Sequence, residues 1–137
     1  MNSKKILFIT FISSVIFLLG CFNSKTLVER NKKYAISKME QITCNKYHDK
    51  FEIKYNDIGD YALVYHKNKE FSKPFPDLKY FVYSLNKKNI VIEDSLKAGN
   101  IYWNGSYSIF ASEREQRAES GTKSYIYDLK HSTYEVN

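Results

Sequence analysis

"NIYWNGSYSIFAS", residues 100–112, decides the fold. Two arms of aromatic and β-branched residues flank Asn104-Gly105. Such side chains fit a pleated, half-buried surface. Asn-Gly is the preferred pair for a two-residue type I′ turn, in which both central residues take positive φ. The stretch therefore predicts a tight hairpin, and the same alternation extends to either side of it.

Upstream, "KYFVYSLNKKNIVIED" (79–94) reads as a second hairpin, with arms Tyr80 to Leu85 and Ile90 to Glu93 and a turn over Asn86 to Asn89. Before it, "KFEIKYN" (50–56) and "YALVYHK" (61–67) are strand-like and separated by the turn-like Asp57-Ile58-Gly59-Asp60. "NKEFSKPFPD" (68–77) holds both prolines, Pro74 and Pro76, and reads as a loop because proline donates no ladder hydrogen bond. Downstream, the charged "EREQRAESGTK" (113–123) is an exposed connection broken at Ser120-Gly121. "SYIYDLK" and "STYEV" then close the chain as strands that turn over Lys130 to Ser132.

Ahead of all this, Thr26-Leu27-Val28-Glu29 fits a capping box. From there to about Glu40 a rough apolar stripe of Leu27, Val28, Tyr34, Ala35, Ile36 and Met39 suits a helix. The expected fold is α+β, mainly β: an N-terminal helix followed by an antiparallel β-meander of about seven or eight strands.

The chain begins with a basic cluster, Lys4-Lys5, and then runs uncharged from Ile6 to Gly20, 15 residues. As a helix that run spans about 22 Å at 1.5 Å per residue, short of the roughly 30 Å hydrocarbon core. A basic head, a short apolar body and a small residue at its end form a secretory signal peptide. Leu18-Leu19-Gly20-Cys21 resembles the lipobox of bacterial lipoproteins, with Leu19 where a smaller or β-branched residue is commoner. The resemblance implies lipidation of the Cys21 sulfur with diacylglycerol, cleavage before Cys21 and fatty acylation of the new amino terminus. It implies no other cofactor. Two or more acyl chains anchor a protein firmly where one does not.

The resulting division is a lipoprotein signal peptide over 1–20, the lipidated cysteine and a short tether over 21–24, and one β-rich domain with its N-terminal helix over 25–137. The resemblance places the protein in the bacterial cell envelope, with the lipid bilayer as its partner through Cys21. Phe22, in place of the Asp that some bacteria use for inner-membrane retention, points to the outer membrane facing the periplasm if the cell is Gram-negative. The stretch Gly99-Asn100-Ile101-Tyr102-Trp103 is similar to a strand of small envelope lipoproteins, and "YIYDLK" resembles the strand that ends a β-propeller blade. Both imply a sheet. The chain is too short for a closed propeller of four or more blades.

The full chain has 21 basic and 15 acidic residues. Without Lys4 and Lys5 the balance is +4, mostly scattered lysine, with arginine only at positions 30, 114 and 117. Arginine is the usual bidentate reader of phosphate, so nucleic acid is not an expected partner. With Cys21 lipidated, Cys44 has no disulfide partner, and a buried free thiol is expected there. His48, His66 and His131 show no metal-ligand spacing, so no metal site is expected.

No nucleophile elbow or phosphate loop is present, and no catalytic residue is assigned. An envelope hydrolase would need Glu93, Glu113 or His66 to converge in a deep polar cleft. Inhibition of a secreted hydrolase such as lysozyme is a further alternative. The remaining clue is aromatic: Tyr80, Tyr83, Tyr102, Trp103 and Tyr107 are candidates for a contact surface toward an envelope protein or a glycan, against the competing reading of a tyrosine-rich core.

Overall fold

The computed structural model describes residues 27–48, 50–68, 76–114 and 122–136. The signal segment, Cys21, Thr26 of the capping box, Pro74 and Ser120-Gly121 lie outside the described residues. The chain divides into two compact units, Met1–Ala35 and Ile36–Asn137. In the first, residues 27–35 are helical, and Leu27, Val28 and Tyr34 are exposed rather than part of a buried stripe.

The helix, α1, runs over 27–47, one to two turns past the expected end near Glu40. Beyond Ile36 its inward positions are Met39, Thr43 and Tyr47, spaced by four, which is one helical face. Thr43 hides its hydroxyl by donating to the Met39 carbonyl at 2.8 Å. The helix ends at His48, which takes a left-handed φ of 58° while its N–H bonds to the Cys44 carbonyl. Because "QITCNKY" is helical, Cys44 turns away from the face that holds Thr43. The expected buried thiol is in fact exposed.

Among the described residues eight strands follow: β1 (Glu52–Tyr55), β2 (Tyr61–Asn68), β3 (Asp77–Ser84), β4 (Asn89–Leu96), β5 (Asn100–Trp103), β6 (Ser108–Arg114), β7 (Thr122–Asp128) and β8 (Thr133–Val136). All neighbours are antiparallel. They form not one meander but two four-stranded sheets, β1-β2-β3-β4 and β5-β6-β7-β8. The break falls at Lys97-Ala98-Gly99. Ala98 has a left-handed φ of 49°, and the Lys97 and Ala98 N–H groups are taken by the Glu113 and Asp77 carboxylates at 3.0 and 3.1 Å.

The sheets share one core. Leu63, Tyr65, Leu78, Tyr80, Val82 and Leu96 of the first sheet meet Ile101, Ile109 and Ala111 of the second, and Trp103, Tyr125 and Tyr127 pack at the margin. The opposite face of the first sheet is also buried, at Ala62, Val64, Phe81 and Tyr83. Tyr47 of α1 stacks there on Phe81 and His66, with ring centroids 5.9 and 5.7 Å apart. β2 and β3 are thus buried on both sides, which is why they read as nearly unbroken apolar runs.

The Asn104-Gly105 turn is longer than expected. Gly105 has φ 121°, but Asn104 is not in a positive-φ conformation, and residues 104–107 separate the strands. The loop is shaped by partners from the first sheet. Asn56 Nδ2 donates to the Ser106 carbonyl at 2.7 Å, and Ser106 Oγ donates to Asp57 Oδ2 at 2.8 Å. The sheet-edge strand β4 carries a register shift opposite Val82/Tyr83 and the acidic pair Glu93-Asp94. Bulges and charges of this kind deter pairing between sheet edges.

β1 is fastened to β2 by Glu52, which accepts from Lys67 Nζ at 2.8 Å and from the Tyr65 hydroxyl. These bonds hold the Glu52 carboxyl below its ordinary range. A depressed carboxyl contributes stability above its unfolded pKa and loses it as pH falls through the folded value. Both charged groups are well exposed, so the contribution is below about 1 kcal/mol. Urea denaturation of Glu52→Gln should show a small deficit at neutral pH that closes as the buffer is taken below the carboxylate range. A deficit independent of pH would locate the effect elsewhere.

Candidate functional surfaces on the double sheet

The five aromatic candidates separate into different environments. Tyr80 and Tyr83 are fully buried, one on each face of β3. They are core residues, which removes them from the expected contact surface. The Tyr80 hydroxyl lies beside Tyr127 and Asp94, and burial pushes its pKa well above the ordinary tyrosine range. Trp103 points toward the shared core, half-buried, with its indole N–H donating to the Lys54 carbonyl at 2.9 Å. Tyr107 meets Tyr61 edge to face, centroids 6.2 Å apart. Tyr102 is 46% exposed on the outer face of the second sheet.

Several hollows lie around this core. A groove of about 410 Å³ opens between β4 and the β7–β8 turn, with Tyr61, Ile92, Tyr127 and Leu129 below and Glu93 and Asp94 at its rim. A shallow hollow of about 350 Å³ lies at the end of α1, between Lys46, Tyr47, Lys79 and Ser95. There Lys46 pairs with Glu93 at 2.7 Å. Burial, assisted by the Glu93 charge, raises the Tyr47 hydroxyl to a pKa of about 12. A further hollow, about 320 Å³, sits on the outer face of the second sheet between Tyr107, Ser108, Ile126, Asp128, Lys130 and Glu135.

The register of the second sheet organises this outer face into rows. Tyr102, Phe110, Ile126 and Glu135 are consecutive partners across β5, β6, β7 and β8. The Tyr102 and Phe110 rings stack, 5.0 Å apart and 28° from parallel. On one side lies the row Asn100, Ser112, Ser124, and on the other Ser108, Asp128, Thr133. An apolar stripe of Tyr102, Phe110 and Ile126, ended by Glu135 on β8, thus runs across the strands between two polar rows. Asp128 also builds the β7–β8 turn. Its Oδ1 accepts from the N–H groups of Lys130 and His131 at 2.8 and 3.2 Å, and its Oδ2 pairs with His131 Nδ1 at 2.6 Å. The His131 contact, with these backbone donors, holds its carboxyl below the ordinary range.

The groups considered for hydrolysis occupy separate roles. Glu93 is paired with Lys46, Glu113 accepts from the Lys97 N–H, and His66 stacks on Tyr47 while its Nδ1 meets the Lys50 carbonyl. Among the described residues no three His, Cys, Asp or Glu side chains gather where they could hold a metal ion, and no helix is long and apolar enough to cross a membrane.

Phe110, Ile126 and Glu135 are legible as members of the stripe only through parity, since Tyr102, Phe110 and Ile126 all stand one residue off the inward positions Ile101, Ile109 and Tyr125. Their alignment into one row depends on strand register, which no single segment carries. The chain matches no protein-family model, no curated protein and no solved structure.

Proposed function

We propose that the protein is a lipid-anchored lipoprotein of the bacterial cell envelope whose double-sheet domain acts by binding. The observation that carries this reading is the sequence of the first 21 residues: Lys4-Lys5, fifteen uncharged residues, and Leu18-Leu19-Gly20-Cys21. Cys21 becomes the first residue of the mature chain and bears the lipid. The domain then stands at the membrane surface, facing the periplasm from the outer membrane in a Gram-negative cell. The support for binding over catalysis is that Glu93, Glu113 and His66 are each engaged with a different neighbour, while the second sheet offers an extended amphiphilic face.

The test is metabolic labelling with a radioactive fatty acid in cells expressing the full chain. Label enters the wild type and Cys44→Ser and is absent from Cys21→Ser, which accumulates as the uncleaved precursor. Equal labelling of the wild type and Cys21→Ser would overturn the assignment.

A further inference from the structure

We infer that the outer face of the second sheet is a platform for a glycan, taking a β-1,4-linked chain of hexopyranose units laid across the strands along Tyr102, Phe110, Ile126 and Glu135. The inference rests on the reading of the domain as a binding module and names its ligand class; it does not depend on the lipid anchor.

Three observations converge on this face. The first is the alternation of chemistry across it. The row, apolar at Tyr102, Phe110 and Ile126 and closed by Glu135, is one residue wide, and two residues along each strand, roughly 7 Å away, the side chains become hydroxyl, amide or carboxylate: Asn100, Ser112 and Ser124 on one side, Ser108, Asp128 and Thr133 on the other. A β-1,4-linked pyranose chain has the complementary profile, with C–H faces above and below the rings and equatorial hydroxyls along both edges. A lipid or a second apolar sheet would leave the polar rows facing hydrocarbon, which is costly for hydroxyl, amide and carboxylate groups.

The second observation is spacing. Adjacent strands lie about 4.8 Å apart, close to the advance per sugar in such a chain, so each strand presents one contact to one ring. The Tyr102 and Phe110 rings stack on each other, 5.0 Å apart, so of the two it is Tyr102, 46% exposed, that offers a ring to a sugar.

The third is the hollow at the β8 end. It measures about 320 Å³, with Ile126 as its floor and Asp128, Glu135 and Lys130 on its walls. Pockets of this size hold small ligands by an apolar body and a few polar groups. The Glu135 carboxylate accepts from hydroxyl or amide donors and Lys130 donates, while Asp128 is engaged by the β7–β8 turn. With two acids against one base, the hollow suits a neutral ligand better than a polyanion.

The test uses the full lipidated chain in detergent micelles, titrated by calorimetry with chitohexaose and, separately, cellohexaose. Binding of either hexaose is expected. Tyr102→Ala should weaken it about tenfold and Glu135→Gln several-fold, whereas Tyr102→Phe, which keeps the ring, should bind as the wild type does. Tyr102 is exposed, so its truncation leaves the core intact, and an unchanged thermal midpoint verifies this for each variant.

Absence of binding to both hexaoses at millimolar concentration would overturn the inference. So would binding that Tyr102→Ala and Glu135→Gln leave untouched, or a Tyr102-dependent dimer without glycan affinity, which would make the stripe a contact between copies. Cys21→Ser should bind the glycan like the wild type. Loss of labelling without loss of glycan binding therefore separates the anchor from the platform.

Discussion

Gly99→Ala should destabilise the double sheet by about 2–3 kcal/mol, the upper part of the range for forcing extra volume into a packed site. Gly99 is buried at the point where the chain leaves the first sheet for the second. A Cβ there would lie 2.6 Å from the Leu96 Cβ and 2.6 Å from the Ser112 carbonyl oxygen. Neither is the loose end of a flexible side chain. Leu96 belongs to the shared core, and Ser112 is fixed by pairing with both Asn100 and Ser124. Relief would require the first rung of the second sheet to move.

Gly105 provides the contrast. A Cβ on it meets nothing within 4 Å, but its φ of 121° is one that L side chains rarely adopt. Gly105→Ala should therefore cost less, about 1 kcal/mol from backbone strain alone. Urea denaturation of both variants checks the order. Gly99→Ala as stable as the wild type would mean that the crossover is looser than these contacts indicate. For a domain of this size each kcal/mol lowers the midpoint by about 4–8 °C, so Gly99→Ala should fall by at least about 8 °C.

Asn56→Ala is expected to cost about 3 kcal/mol. Asn56 is only 5% exposed, and its side chain closes the β1–β2 turn onto the second sheet. Its Oδ1 accepts from the N–H groups of Asp60 and Tyr61, both at 3.0 Å, and its Nδ2 donates to the Ser106 carbonyl at 2.7 Å. Removal leaves three backbone groups without these partners in a part-buried site, and each unsatisfied group costs about 1–3 kcal/mol where water cannot reach it.

Asn56→Asp separates the two functions of the side chain. It keeps the acceptor for Asp60 and Tyr61 but places an oxygen against the Ser106 carbonyl. Asn56→Asp should thus remain destabilised, with the loss concentrated in the Asn104–Tyr107 loop. Hydrogen exchange resolves this, because amides of the β5–β6 loop should lose protection while those of the β1–β2 turn retain it. Equal stability of Asn56→Asp and the wild type would show that the bond between the sheets contributes nothing.

These two sites show where local sequence stops being informative. The strands themselves are legible, because alternation of apolar and polar residues is a local property, and a period of two matches a half-buried strand and no helix. The Ile90–Glu93 arm, the final pair of strands and the predominance of β-structure follow from it, while the Tyr80–Leu85 arm is read from its run of aromatic and β-branched residues. The helix is legible from residue 27 to about Glu40 but not at its end. "QITCNKY" has no obvious apolar stripe until Thr43 is counted as an inward residue, and Thr43 can be inward only because it returns its hydroxyl to the Met39 carbonyl. The exposure of Cys44 is hidden from the sequence for the same reason.

Asn104-Gly105 carries the strongest turn signal in the chain, yet the loop it forms answers to Asn56 and Asp57, about fifty residues earlier. Tertiary hydrogen bonds overrode the local preference of Asn for the left-handed region. Among the aromatic candidates, composition does not sort Tyr80 and Tyr83 from Tyr102. All three stand in β-branched or aromatic surroundings, and only the second layer on each face of the first sheet buries the former pair.

By itself the sequence determined the strand-rich character of the domain and, to within one, the number of short strands among the described residues. These depend on periodicity and turn chemistry, both readable within a few residues. The tertiary structure decided that eight strands divide into two sheets, that β2 and β3 are covered on both faces, and that Tyr102, Phe110, Ile126 and Glu135 fall into one row. Those outcomes depend on register and on the close approach at Gly99. Both are set by contacts between residues distant in the chain, so no window along it contains them.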